Sequence, residues 1–381
     1  MSLLVVDDRF PEPRLGFGFP RLRAVLEALP AASFTPEFLD LEDEHSPVRG
    51  QRRGPAETSR ARTRFSDFWS LHRDRFDAVW VSRARNARIV LDVLDKATSR
   101  APVIYDVEAI ALERTILEHR HRRRPLEPAQ ETALMEEEAG LLKSADFVVS
   151  VCDRDRRSVT ELAGVAPVVV GFSHRIDPSP LPFEARAGVL YVTGQYQPAR
   201  RGRNRALNAL LEKIAPSFVP ALGCNVNIVG YGTGPHLMAE SFRPGSVNTV
   251  FHGTVPDLRA HYERNRVFAA PVTVAAGMPW KVTEAMSHGL PVVCTPLLAA
   301  QLGVRPEDKV VMVGDDNTAL AEAIIECYNN CRLWSELRAN ALEYVARHCS
   351  FESMVAGLTE LRTAISQRRG RSSIGGNGGI G

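Results

Sequence analysis

The stretch GMPWKVTEAMSHGLPVV, residues 277–293, places Lys281 and Glu284 three residues apart where a glycine-bearing loop turns into a helical pattern. Residues three apart are neighbours on a helix, so the two side chains share one face. A helix N-terminus carries about half a positive charge on unpaired amides, which suits phosphate, and Lys281 adds a full charge there. A carboxylate one turn further on accepts hydrogen bonds from ribose hydroxyls, as acidic groups do in other doubly wound nucleotide sites. The pair therefore reads as a lysine for a diphosphate and a glutamate for a ribose, with the Gly277 and Met278 amides turned toward the phosphates. The same spacing also suits an ordinary surface helix start.

Other residues carry weaker signals. GYGTGP (230–235) follows an apolar run but lacks a full GxGxxG, so it reads as a tight turn, with Gly230 and Tyr231 approaching a nucleotide. Gly16 and Gly18, either side of Phe17, permit close backbone approach or positive φ. Asp153 and Asp155 in CDRDR imitate a D-x-D metal motif, yet they stand at a helix start, where capping is the simpler role. No Cys/His cluster has zinc spacing, so no metal site is assigned, and the six cysteines read as reduced structural thiols. His174 is either a base for inverting chemistry or a structural histidine.

These residues need a scaffold that brings loops and helix starts together. Short β-branched runs alternate with helical patterns twice along the chain. SLLVVD (2–7), DAVWVS (77–82), PVIYDV (102–107), DFVVSV (146–151) and PVVVG (167–171) form the first series. GVLYVT (188–193), NVNIVG (225–230), NTVFHG (248–253), RVFAAP (266–271), LPVVCT (290–295) and KVVMVG (309–314) form the second. Continuous apolar strands fit parallel sheets buried on both faces, so the fold class is α/β, two tandem Rossmann-like doubly wound domains facing a cleft. The expected boundaries are 1–170 for the first domain, 171–187 for a proline-bearing linker and 188–350 for the second. A C-terminal helix over 351–366, packing back on the first domain, and a mobile tail over 367–381 complete the plan.

Composition restricts the partners. The chain has 381 residues, 44% hydrophobic and 24% charged, without an apolar run of the ~20 residues needed to cross a bilayer or the pattern of a secretory signal, which implies the cytosol. Net charge is only +2, but RGQRRGPAETSRARTR (49–64) and HRHRRR (119–124) are basic clusters. Aromatic residues do not interleave with them, which favours an anionic membrane surface over nucleic acid, beside the plain reading of solvated faces.

The segment VFHGTVPDLRAHYERNRVFAAPVTVAAGMPWKVTEAMSHGLPVVCTP (250–296) resembles the donor-site signature of retaining glycosyltransferases of the GT-B fold, the family 4 type, also called glycosyl transferases group 1. The likeness runs from about residue 188 to 360. It extends more weakly to VVDDRFPEPRLGFGFPR (5–21), similar to the family's first glycine loop, and to YDVEAIALER (105–114), similar to the segment lining its sugar pocket. It implies a nucleoside diphosphate sugar donor on the second domain and a glycan, lipid-linked or small-molecule acceptor on the first. Transfer would proceed with retention, without metal or further cofactor.

By resemblance, the catalytic set is Lys281, Glu284 and a basic residue in GQYQPARRGRN (194–204), Arg201 before Arg200. Donor-binding positions are Gly194, Gly230, Tyr231, Gly253, Val255, Gly277, Met278, Pro279 and Thr283. Gly16, Phe17, Gly18 and Glu108 lie on the acceptor or sugar side. The family's first glutamate would fall on Ala276, and its sugar-pocket histidine has no counterpart in DVEAI. A sugar-nucleotide epimerase and a non-catalytic sugar-nucleotide-binding module are the alternatives.

Overall fold

A computed structural model describes residues 1–11, 19–42, 54–95, 101–178, 181–195, 205–231 and 248–374. The chain divides into two compact units, Met1–Ser173 with Phe351–Gly381, and His174–Ser350.

The first unit holds a six-stranded parallel sheet in the order β2-β1-β3-β4-β5-β6, with β1 Ser2–Asp7, β2 Thr35–Asp40, β3 Ala78–Ser82, β4 Val103–Asp106, β5 Phe147–Ser150 and β6 Val168–Val169. Its centre is buried on both faces, which explains the unbroken apolar runs. Leu4 and Val6 of β1 pack with Phe65, Trp69 and Leu94 on one side, while Leu3 and Val5 pack with Leu22, Val25 and Trp80 on the other. Strand β2, TPEFLD, has no β-branched run and carries Pro36. It is an edge strand, the position in which a sheet tolerates a residue without an N–H.

The helix Phe351–Ile374 belongs to this first unit and is longer than its apolar pattern implies. Met354, Leu358, Leu361 and Ile365 are fully buried in the same cluster as Leu22 and Trp80. Gly357 lies so close to β6 that a Cβ there would stand 2.2 Å from the Val169 carbonyl oxygen. Beyond residue 366, where the sequence suggests a tail, Arg368 and Arg369 pair with Asp146 and Asp77, each at 2.6 Å. Residues 375–381 lie outside the described residues.

The second unit repeats the plan in the order β12-β11-β10-β7-β8-β9, with β7 Val189–Gln195, β8 Val226–Tyr231, β9 Thr249–Gly253, β10 Val267–Ala270, β11 Val292–Cys294 and β12 Met312–Val313. All its recorded pairings are parallel. From β7 the chain builds outward through β8 and β9, then returns to start β10 on β7's other side. The topological switch point thus falls between β7 and β10, where open α/β sheets bind ligands.

Candidate functional site

The helix Trp280–Ser287 follows β10 and starts at this switch point. Gly277, buried at φ 72°, turns the chain in the left-handed region that a side chain would oppose. Pro279 caps the helix without a side-chain hydrogen bond, and its carbonyl oxygen accepts from the Val282 and Thr283 amides at 3.0 and 3.2 Å.

Lys281, half-buried in that first turn, donates from Nζ to the Val192 carbonyl oxygen of β7 at 3.2 Å. The ammonium is thereby tied across the two strands that flank the switch point. Burial pulls its pKa down to about 8, and the nearby Glu284 carboxylate opposes the shift. Glu284 is half-buried one turn on, and its Oε2 accepts the Tyr262 hydroxyl at 2.9 Å. Burial raises its pKa, while the Tyr262 hydrogen bond and Lys281 favour the carboxylate. A cation and an anion thus share one helix face beside the carboxyl ends of β7 and β10.

Gly194 lies near the end of β7, just past Val192, where the β7–β8 register shifts; Gly230 and Tyr231 end β8, and Gly253 ends β9 at φ 66°. All four stand on the edge of the sheet from which Lys281 rises. Val255 and Pro279 are half-buried, and Met278 is buried. Arg200, Arg201, Gly16, Phe17 and Gly18 lie outside the described residues.

The Thr283 side chain faces inward. It is fully buried, and its hydroxyl donates to the Trp280 carbonyl at 2.9 Å and lies 2.8 Å from His174 Nε2. A hydroxyl with one hydrogen already given to Trp280 accepts from His174, which makes Nε2 the protonated nitrogen of a neutral ring. Burial, with His288 adding repulsion, lowers the His174 pKa to about 3. The His174 ring lies 4.3 Å from that of Trp280, so this histidine braces the helix start and is no catalytic base.

The first unit carries a charged cluster at its own switch point, between β1 and β3, that residue patterns did not disclose. Arg83, just after β3, reaches Glu108 Oε2 at 3.4 Å and Asp7 Oδ2 at 3.6 Å, and it also pairs with Asp8, which Arg85 shares. Burial works against the Arg83 charge, but Asp7, Glu108 and Asp8 together hold its pKa above the ordinary value. Burial raises the Asp7 pKa well above the carboxylate range, Arg83 opposing. Arg83 and Glu108 both adopt positive φ, 74° and 53°, a conformation that costs a non-glycine residue about 1 to 3 kcal/mol and clusters at binding sites. The adjacent acids Asp7-Asp8 at the end of a buried strand were the available signal.

Asp153 and Asp155 occupy the first turn of the helix Asp153–Ala163, with Cys152 at the cap, so neither caps it as expected. Asp153 is exposed and pairs with Arg156 at 2.8 Å, whereas Asp155 is buried, its pKa raised to about 6 by burial and held down by Arg154. The two do not act as a pair. Among the described residues no group of three or more His, Cys, Asp or Glu side chains is arranged to hold a metal ion.

Residues 187–330 match the family model described as glycosyl transferases group 1. No curated protein matches the sequence. Among solved structures, a sucrose-phosphate synthase from Thermosynechococcus elongatus superposes with a TM-score of 0.73 at 14% identity, covering 96% of this chain and 99% of that one. Anabaena HepE, in complex with UDP and glucose, has a TM-score of 0.64 at 16% identity over 96% and 100% of the two chains. An E. coli trehalose-6-phosphate structure bound with UDP-2-fluoro glucose has a TM-score of 0.65 at 12% identity over 96% and 99%. At these identities the likeness establishes the GT-B fold.

Proposed function

We propose, from the match of residues 187–330 to the glycosyl transferases group 1 model and from the GT-B fold, that the chain is a glycosyltransferase whose second unit binds a nucleoside diphosphate sugar and transfers its sugar with retention. The observation that carries this reading is the Lys281 ammonium tied to Val192 O at the β7–β10 switch point, one turn from Glu284. Lys281 and the helix N-terminus neutralise the diphosphate, which gains charge as the sugar's C1–O bond breaks. Glu284 accepts from the ribose hydroxyls. Arg201 is the second cation assigned to the diphosphate, by resemblance.

The sugar C1 forms a bond to the acceptor oxygen on the face the diphosphate leaves, and the acceptor's proton passes to the departing phosphate oxygen. The protein's part is positioning and charge stabilisation, which asks for no protein nucleophile. Two structural neighbours were solved with UDP or a UDP-sugar, which supports a nucleotide-sugar donor. The acceptor is assigned to the first unit, at the Arg83–Glu108 cluster, with Glu108 reaching acceptor or sugar. Lys281 and the helix end take the charge-neutralising role that a divalent ion otherwise fills, so turnover is expected to persist in EDTA.

No helix among the described residues is long and apolar enough to cross a membrane. Arg120, His121, Arg122, Arg123 and Arg124 are exposed at and beyond the end of the helix Ala111–His121, and this basic patch is assigned to peripheral contact with an anionic membrane.

The test is incubation with UDP-, GDP-, ADP- and dTDP-linked sugars and a pool of glycan, lipid-linked and small-molecule acceptors, following nucleoside diphosphate release and the product anomer by NMR. Acceptor-dependent release with the donor's anomeric configuration retained supports the reading. Sugar inversion at C2 without acceptor identifies an epimerase, and tight binding without turnover a binding module. An inverted product anomer overturns retention alone.

A further inference from the structure

Tyr262 is fully buried, and among the described residues its side-chain oxygen has one partner, the Glu284 carboxylate, at 2.9 Å. The ring is held from three directions. Its backbone carbonyl accepts from Arg186 Nη1 at 3.2 Å, and Arg186 is itself fully buried. The His288 ring stacks on it, with centroids 5.0 Å apart and planes inclined by 16°. The Phe268 ring of β10 packs at 6.3 Å. Three elements of the second unit therefore fix one phenol whose hydroxyl, among the described residues, holds Glu284.

We propose that Tyr262 is a positioning residue that makes the site selective for ribonucleotides, by fixing the Glu284 carboxylate in the orientation that receives the two ribose hydroxyls. The inference rests on the assignment of Glu284 to the ribose. A carboxylate offers about four acceptor directions. Tyr262 takes one and a side-chain hydrogen bond from Trp280 another, which leaves two for a vicinal diol. Without the phenol, the carboxylate is free to rotate, and each hydrogen bond to the diol is made at the cost of ordering it.

Tyr262→Phe removes the oxygen alone and keeps the ring in its packing. Binding is measured calorimetrically for whichever of UDP, GDP or ADP the wild type binds most tightly, and for its 2′,3′-dideoxy analogue. Wild type is expected to prefer the ribonucleotide by about 10- to 100-fold, the range of charge-assisted hydrogen bonds. Tyr262→Phe should lose most of that preference while binding the dideoxy analogue as wild type does, and in a Glu284→Gln background it should have no further effect.

A second readout is the acid limb of ribonucleotide binding. Among the described residues, the charged and titratable groups facing Glu284 are Tyr262, Lys281 and Asp257, with Trp280 as a further hydrogen-bond partner. Loss of the Tyr262 donor favours the protonated acid, so the limb should move to higher pH. Should Tyr262→Phe fold poorly, 3-fluorotyrosine at position 262, a stronger donor of the same shape, should match or exceed the wild-type preference.

Undiminished ribonucleotide preference in Tyr262→Phe overturns the inference and leaves Glu284 as the ribose anchor. A wild type that binds nucleotide without preference removes Glu284 from the ribose, and a wild type that binds no nucleoside diphosphate overturns the functional reading with it.

Discussion

His174 Nε2 lies 2.8 Å from Thr283 Oγ1, joining the segment that opens the second unit to the helix bearing Lys281 and Glu284, across 109 residues of chain. The contact needs a neutral imidazole, because it is buried beside Trp280 with His288 nearby.

That neutrality makes a pH prediction. The folded pKa of about 3 lies below the unfolded value of about 6.5, so the unfolded chain binds the proton first on acidification. The stability associated with neutral His174 is complete above about pH 6.5 and falls as pH drops toward 3, by up to about 1.4 kcal/mol per pH unit. His174→Asn lacks this titration. Urea unfolding of both proteins between pH 7 and pH 4 should show their stabilities converging as pH falls, and parallel curves would contradict the neutral brace.

Lys281→Ala should lower kcat/KM for glycosyl transfer by about 30- to 1000-fold, equivalent to about 2 to 4 kcal/mol of transition-state stabilisation. The melting temperature should barely change, since the lysine's hydrogen bond among the described residues is to one carbonyl, that of Val192 in β7. Activity within threefold of wild type would remove Lys281 from the departing diphosphate.

The same ammonium should write its titration into binding. With a pKa near 8 in the free protein, Lys281 is charged below pH 8 and loses its proton above it. Affinity for a nucleoside diphosphate should be level up to about pH 7, then fall through pH 8 and decline by up to about tenfold per unit at higher pH. Calorimetric titrations of wild type and Lys281→Ala check this, because the alkaline limb should vanish in the variant.

Gly357→Ala tests how the C-terminal helix docks. In an exposed helix interior this exchange stabilises by about 1 kcal/mol, but here the new Cβ would meet the Val169 carbonyl oxygen at 2.2 Å. Backbone on backbone has nowhere to yield, so the sign should reverse to a loss of about 1 to 3 kcal/mol. Scanning calorimetry should record a lower melting temperature for the first unit, and an unchanged or higher one would refute the close contact.

The exposed arginines Arg122, Arg123 and Arg124 should draw the protein to anionic liposomes at low salt, by about 1 kcal/mol each near the surface. The attraction should fade as the Debye length shrinks from about 10 Å at 0.1 M to 3 Å at 1 M salt. Changing all three to glutamine should weaken co-sedimentation. Equal partitioning onto neutral and anionic liposomes would point to a soluble acceptor.

The alternation of apolar runs and helical patterns, legible residue by residue, determined eleven of the strands and the helix start at Trp280, because each depends on neighbours a few positions away. Lys281 and Glu284 were legible for the same reason, being one helical turn apart. β2 was not, since an edge strand with Pro36 becomes a strand only when β1 offers its ladder. Nor were the groups that tune the site: Tyr262 meets Glu284 across 22 residues, Asp8 meets Arg83 across 75, and His174 meets Thr283 across 109. Thr283 points inward because its partner comes from the segment that opens the second unit, a matter on which its own helix is silent. Periodicity records which face of an element is apolar, whereas hydrogen-bond geometry and burial, and with them the pKa of Lys281, arise only when distant strands close over the charge.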